Sequence, residues 1–298
     1  MRTRAAVLLA GGLIGACLIA AFGVYLGASW YSPEPEYPGS KTIQHSFTVR
    51  NEQASAVDDG VLHVYGPVTR TSHQSLRKIE SDVSFEKRRD QDGNQVLEVP
   101  LDTLAPFEQR IISVRMHLDT AADSQAAELA DPERFLQSEP YLETTHPELA
   151  SHAGRFDRED QLETVRAIYD WVRRHLEPSG YLPEDRGALW ALRNGRGDCT
   201  EHMYLFTALA RLHDIPTRGV GGFVVEDGSR SVHPTEYHNW AEVYVDGAWH
   251  VVDPEEGAFM AGQDDYIAMR IIRPPKESLL GATHRYAHEG EGISVSMN

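Results

Sequence analysis

Cys199 lies in the run Gly195-Arg196-Gly197-Asp198-Cys199-Thr200-Glu201-His202, which reads as a glycine-rich loop feeding the start of a helix. Downstream comes His238-Asn239-Trp240-Ala241-Glu242-Val243-Tyr244-Val245-Asp246-Gly247-Ala248-Trp249-His250-Val251-Val252-Asp253-Pro254, a hairpin pattern with a histidine at one end and an aspartate at the other. A thiol, an imidazole and a carboxylate are the parts of an acyl-transfer site. The imidazole takes the thiol proton, and the carboxylate orients the imidazole.

The hairpin can be registered from its turn. Asp246-Gly247 suits a type I′ turn, which needs positive φ at both central residues. Val245 then pairs with Ala248, and the pairing runs back to Trp240 opposite Asp253. Side chains alternate faces along a strand, so His238 shares a face with Trp240 and therefore with Asp253. Diagonal neighbours of this kind are roughly 7 Å apart at Cβ, within reach of an imidazole and a carboxylate. A slip of one residue would put Asp253 on the wrong face.

The helix is read separately. Met203, Phe206, Leu209, Ala210 and His213 recur at helical steps, with Leu205 and Leu212 widening the stripe. Asp198 is the expected N-cap, and Glu201 completes a capping-box pattern. Cys199 then falls in the first turn, where unpaired backbone N–H groups favour a thiolate. Gly195 and Gly197 let the chain bend tightly just before it.

With these residues in view, the stretch 192–254 resembles the transglutaminase-like superfamily, whose members share a papain-like cysteine-enzyme fold. The Gly197-Asp198-Cys199-Thr200-Glu201-His202 run is similar to its nucleophile segment. The run Ala208-Leu209-Ala210-Arg211-Leu212-His213-Asp214-Ile215-Pro216-Thr217-Arg218 resembles its helix and exit, with Asp214 where the family often has glycine. His238-Asn239-Trp240-Ala241-Glu242-Val243 and Val251-Val252-Asp253-Pro254 resemble its two site-bearing strands. The helical run 165–172 extends the likeness upstream. By this resemblance Cys199 is the nucleophile, His238 the base and Asp253 the orienting acid, in a bacterial-type, membrane-anchored member of the superfamily.

The elements around these residues follow from the rest of the chain. Its 298 residues allow one large or two modest domains. A formal net charge of −17 argues against nucleic-acid binding through a broad basic face. Two cysteines are too few for a disulfide framework. Arg2 and Arg4 precede an uncharged, largely apolar run over 5–30, long enough to cross a bilayer core of about 30 Å. Residues 1–31 are therefore expected to be a membrane anchor, with a cleaved signal segment as the alternative. Residues 32–41, rich in proline and glutamate, read as a stiff linker. Residues 42–120 read as a β-sandwich, because short alternating segments such as Ile112, Val114, Met116 and Leu118 are separated by turns such as 90–94. Residues 121–298 are assigned to the transglutaminase-like domain, with its core at about 160–260. The whole is α+β: a membrane helix, a β-sandwich, then a helix bearing Cys199 packed on an antiparallel sheet bearing His238 and Asp253.

Each candidate also has an ordinary reading. A free cysteine is usually an inert packing group. His238 alone is a strand end, and Asp253 alone is a turn-former before Pro254. They gain meaning as a set. His202, three residues from Cys199, suggests a metal pair, but no second cysteine or histidine cluster supports one, so no metal and no cofactor are expected. Glu201 reads as a capping residue, and Trp240, Tyr244 and Trp249 as hairpin packing. The backbone N–H of Cys199 is the natural oxyanion donor. Tyr181 and Asn194 are candidate second donors, each with a plainer role as a loop aromatic or a turn residue.

The expected function is thiol-dependent acyl transfer on a protein or peptide substrate outside the cytoplasm, with hydrolysis favoured. Two alternatives stand beside it. One is glutamine–lysine transamidation. The other is a non-catalytic assembly protein using the fold as a scaffold, with the β-sandwich docking a cell-envelope partner. The topology is testable. Arginines before the apolar run and glutamates after it place residues beyond Pro33 outside the cytoplasm. Periplasm-active reporter fusions at Gly39 and at the C-terminus should both be active, and activity of a cytoplasmic reporter at either position would overturn the anchor.

Overall fold

The structure, a computed structural model, describes residues 35–298 apart from Pro183 and Asp227. The expected membrane segment at 1–31 lies outside the described residues. Among those described, no helix is long and apolar enough to cross a membrane. The architecture is mixed α+β, mostly sheet, and residues 37–298 pack as one unit.

Six strands come first: β1 (Gly39–Asn51), β2 (Gly60–Gly66), β3 (Gln74–Ser81), β4 (Glu86–Arg89), β5 (Gln95–Leu101) and β6 (Gln109–Thr120). In β1 and β6 buried and half-exposed side chains alternate, as the sequence pattern requires of strands with one covered face. The helices α1 (Pro147–Ala153), α2 (Gln161–His175) and α3 (Ala188–Asn194) follow, interrupted by the short β7 (Glu177–Pro178). Then come β8 (Arg196–Gly197) and α4 (Cys199–Arg211). The strands β9 (Thr217–Val224), β10 (Ser229–Ser231), β11 (Tyr237–Val245), β12 (Ala248–Asp253), β13 (Ala258–Phe259), β14 (Tyr266–Ile271), β15 (Tyr286–Glu289) and β16 (Ile293–Met297) complete the chain.

The first sheet runs β10-β1-β6-β3, with β16 also paired to β1, and a second runs β15-β2-β5-β4. Their apolar faces share one core, in which Ile43, Phe47, Leu62, Val64, Leu97, Val114 and Met116 are buried. Strands from the far end of the sequence enter both sheets. The tail strand β16 pairs antiparallel with β1, Phe47 opposite Met297.

The site-bearing sheet runs β13-β12-β11-β9-β14, antiparallel throughout. The hairpin register is the one read from the turn, with Val245 opposite Ala248 and Ala241 opposite Val252. Asp246 and Gly247 both have positive φ, 52° and 82°. This sheet is covered on both faces. Ala241, Val243, Val245 and Val252 join α2 and α4 in one core, whereas Trp240, Val220 and Val251 pack in another. That explains why β9 is buried along nearly its whole length instead of alternating.

The first-half strands also brace the outer edge of β14. The Gln74 side chain donates to Ala268 O (2.9 Å) and accepts from Ala268 N (2.8 Å). Asn94 does the same to Ile271, donating to its O at 3.0 Å and accepting from its N at 2.7 Å. Two amides thus stand in for a missing neighbouring strand, satisfying backbone groups that are buried from water. Gln74 and Ala268 are both 0% exposed. Gln74→Ala should leave Ala268 N without its partner, the Ala268 carbonyl keeping Val68 N at 2.9 Å, and lower stability by about 1–3 kcal/mol. Urea unfolding measures this, and an unchanged midpoint would show that the amide does not support the strand.

Candidate active site

Asp198 caps α4: its Oδ1 accepts from Thr200 N at 2.9 Å, and Glu201 reaches back to Asp198 N at 3.3 Å. The capping box read from the sequence is therefore present. Cys199 is the first residue of the helix, partly exposed and unpaired. At that position its N–H has no intrahelical acceptor and is free to meet a developing oxyanion. Gly197 is required for close approach, since a Cβ there would lie 2.3 Å from Glu201 Cβ. Glu201 is buried and also accepts from Arg186 N at 2.9 Å. Burial pushes its carboxyl up to about 7, with the neighbouring Asp198 adding to the shift against the Arg186 N–H. His202 donates from Nδ1 to Asp198 O at 2.8 Å and is buried, so it serves the helix start.

The histidine and the aspartate meet across the hairpin. His238 Nε2 lies 2.6 Å from Asp253 Oδ2. The Asp253 carboxylate is 1% exposed and fully occupied. Its Oδ2 also accepts from Tyr266 OH at 3.0 Å, and its Oδ1 accepts from Glu255 N and Glu256 N at 3.1 and 3.2 Å. With Nε2 held by Asp253, the other imidazole nitrogen is left for the thiol. Cys199, His238 and Glu255 place their functional atoms within 4.8 Å of one another. Burial disfavours the charged imidazole, but hydrogen bonds to Asp253 and Cys199 and the charges of both outweigh it, and His238 is pushed up to about 11. Beneath it Trp240 stacks on the imidazole, ring centroids 6.4 Å apart, and is itself 0% exposed. Asn239 donates to Thr200 Oγ1 at 3.0 Å, which ties β11 to the first turn of α4.

The structure thus brings Cys199, His238 and Asp253 together. The two candidate second oxyanion donors are placed otherwise. Asn194 donates to Trp190 O at 2.8 Å within its own helix. Tyr181 is 81% exposed. Three residues that the sequence reading did not single out also shape the site: Tyr266, Asn239 and Glu255. Tyr266 had no local signal, because it reaches Asp253 from β14. Asn239 sits in the same run as His238, but alternation alone does not say what covers its face. Glu255 follows Asp253 by two residues and its position was visible. Burial pushes the Glu255 carboxyl up to about 7, the nearby His238 working against the shift and Asp253, Asp198 and Glu256 reinforcing it.

Residues 151–254 match the family profile described as the transglutaminase-like superfamily. The human kyphoscoliosis peptidase is 31% identical over 105 residues, covering 33% of this chain and 16% of its own length. The mouse kyphoscoliosis peptidase is 30% identical over the same length of 105 residues, covering 33% of this chain and 16% of its own. The chain therefore spans about a sixth of these relatives. Among solved structures, one from Cytophaga hutchinsonii described as a candidate cysteine protease superposes with a TM-score of 0.56 at 16% identity, covering 86% of this chain and 92% of that one. That likeness is one of fold.

The raised His238 sets a pH dependence of stability. An unfolded imidazole titrates near 6.5, so the protonated form is favoured by folding. That contribution is complete below pH about 6.5 and is lost as pH rises toward about 11. The unfolding free energy of the native protein minus that of His238→Gln should therefore shrink steadily from pH 7.5 to 10.5. Urea titrations at intervals over this range test it, and a difference that grew with pH would reverse the sign of the argument.

Proposed function

Because residues 151–254 are a transglutaminase-like domain, we propose that the protein is a cysteine hydrolase of peptide or amide bonds. The observation that carries this reading is the Cys199–His238–Asp253 arrangement, with His238 2.6 Å from Asp253 and within reach of the thiol. A helix-starting thiol beside an imidazole oriented by a buried carboxylate is the geometry that thioester chemistry needs.

Cys199 Sγ attacks the substrate carbonyl carbon, and its proton resides on His238. The oxygen becomes negative and is met by the Cys199 N–H at the start of α4. The C–N bond then breaks, and His238 passes its proton to the departing amine. Water enters, His238 takes one of its protons, and the resulting hydroxide attacks the thioester carbonyl. The C–S bond breaks, releasing an acid and restoring the thiol. Asp253 holds the imidazole in one orientation and stabilises its charged form, without itself taking the proton. Transamidation would use the same first half, with an amine replacing water in the second. Hydrolysis is favoured because water needs no dedicated acceptor site, and the peptidase name of the human and mouse relatives points the same way over the matched stretch.

A cleft of about 660 Å³ beside His238 is lined among others by Tyr237, Glu256 and Tyr266, a volume in the range of ligand pockets. The proposed setting is outside the cytoplasm, supported by the arginine-flanked apolar run at the N-terminus.

Turnover should be tested on a panel of peptides and amides by mass spectrometry, with and without a primary amine. Cys199→Ala should abolish covalent turnover, and His238→Ala should come close to it. Asp253→Ala should lower kcat by about 10²–10⁴, and adding it to Cys199→Ala should change little more, because residues acting as a unit are not additive. Melting curves confirm that each variant folds. Acid products alone identify a hydrolase, and amine-linked products identify a transamidase. Full activity in Cys199→Ala would remove the thiol mechanism.

A further inference from the structure

We propose that Cys199, His238 and Glu255 form a three-ligand site for a soft divalent transition-metal ion, zinc being the ion that suits it. Their ligand atoms lie within 4.8 Å of one another. Zinc sits at about 2.3 Å from sulfur and about 2.0–2.2 Å from nitrogen and oxygen, so tetrahedral ligands stand roughly 3.5 Å apart. A shift of about 1 Å in the side-chain ends therefore closes the site. The donors are a thiolate, an imidazole and a carboxylate, a set that suits zinc and not the hard, oxygen-seeking magnesium or calcium. Three protein ligands leave a fourth position for water.

The surroundings are those of a metal-binding imidazole. A ligating histidine usually donates its second nitrogen to a carboxylate, which fixes the tautomer and turns the free lone pair toward the metal. His238 meets that condition through its 2.6 Å contact with Asp253, whose other bonds to Tyr266 and two backbone N–H groups hold it still.

Glu255 is the residue that the acyl-transfer steps do not explain. Its side chain is 20% exposed, and its ionic partner among the described residues is His238 Nδ1 at 3.9 Å. A carboxylate beside a nucleophilic thiol repels the thiolate and so works against the reaction. A cation bridging the three groups turns that repulsion into attraction. The adjoining cleft, which His238 lines, gives an entry path. A bound ion would occupy the thiolate and the imidazole together, so under the proposed function it would silence the enzyme reversibly. The metal site itself does not depend on that reading, and its test uses no substrate.

The protein should be stripped with EDTA, desalted and titrated with cobalt chloride. One equivalent should produce a thiolate-to-cobalt charge-transfer band in the near ultraviolet, and one equivalent of zinc chloride should abolish it by displacement. Zinc should also slow carbamidomethylation of Cys199 by iodoacetamide at least tenfold, read by mass spectrometry, whereas magnesium chloride should not. Cys199→Ala should lack the band. Glu255→Gln should weaken zinc binding by about tenfold or more in competition with a chelating dye, and Glu86→Gln, on the exposed strand β4, should leave it unchanged. Should Glu255→Gln melt early, Glu255→Ser replaces it in the same assay. Absence of the band, equal protection by magnesium, or undiminished zinc affinity in the folded Glu255 variant would each overturn the site.

Discussion

The site depends on a single buried carboxylate. Asp253 is 1% exposed and accepts from His238, Tyr266 and two backbone N–H groups of the following turn. An isolated charge at that depth would be strongly unfavourable, and these partners are what make it tolerable. Having four of them also leaves the carboxylate no freedom to rotate. His238 inherits that rigidity, with Trp240 stacked beneath it to keep the ring from tilting. A positioned imidazole is what distinguishes a working base from a mobile one.

That constraint reaches through the fold. Tyr266 lies on β14, the outer strand of the site-bearing sheet, and β14 is braced by the amides of Gln74 and Asn94. His73 adds a contact to Tyr266 O at 3.1 Å. The first half of the chain therefore supports the site-bearing sheet directly, through side chains that imitate a neighbouring strand. On the opposite side of the site, Asn239 joins β11 to Thr200 and sets the distance between the hairpin and the start of α4. Another buried pair, Arg218 on β9 and Glu242 on β11, joins adjacent strands at 2.6–2.8 Å, and the guanidinium lies 4.1 Å over Trp249. Planar stacking with charge pairing suits arginine there and would not suit lysine.

The electrostatics of the cleft follow from crowding acids into a partly dry place. Glu201 and Glu255 are both pushed up to about 7 by burial and by neighbouring carboxylates. His238 is driven the other way from its burial, up to about 11, because the carboxylate and thiol at its two nitrogens favour the cation. Environment thus gives His238 and Glu255, whose ligand atoms lie within 4.8 Å of each other, different protonation behaviour. Glu201 is spent on capping the helix, whereas Glu255 retains no hydrogen-bond partner for its carboxylate among the described residues and faces the reactive pair.

Local interactions are legible in sequence because they act over a few residues. The Asp246-Gly247 turn fixed the hairpin register, and register with alternation placed His238 and Asp253 on one face. Asp198 and Glu201 fixed the helix start and so the place of Cys199. The helical run 165–172 lies inside the helix Gln161–His175, and alternation gave the strand at 109–120. The tertiary structure alone decided what approaches from afar. Tyr266 reaches Asp253 and the amides of Gln74 and Asn94 reach β14 across sequence gaps that no periodic pattern spans. Asn194 and Tyr181 show the converse: proximity in the chain suggested a role beside Cys199, but one side chain turns onto its own helix and the other toward solvent. Whether a polar side chain faces a site depends on what packs against it. That is set by contacts between distant elements, which the residues of one segment do not encode.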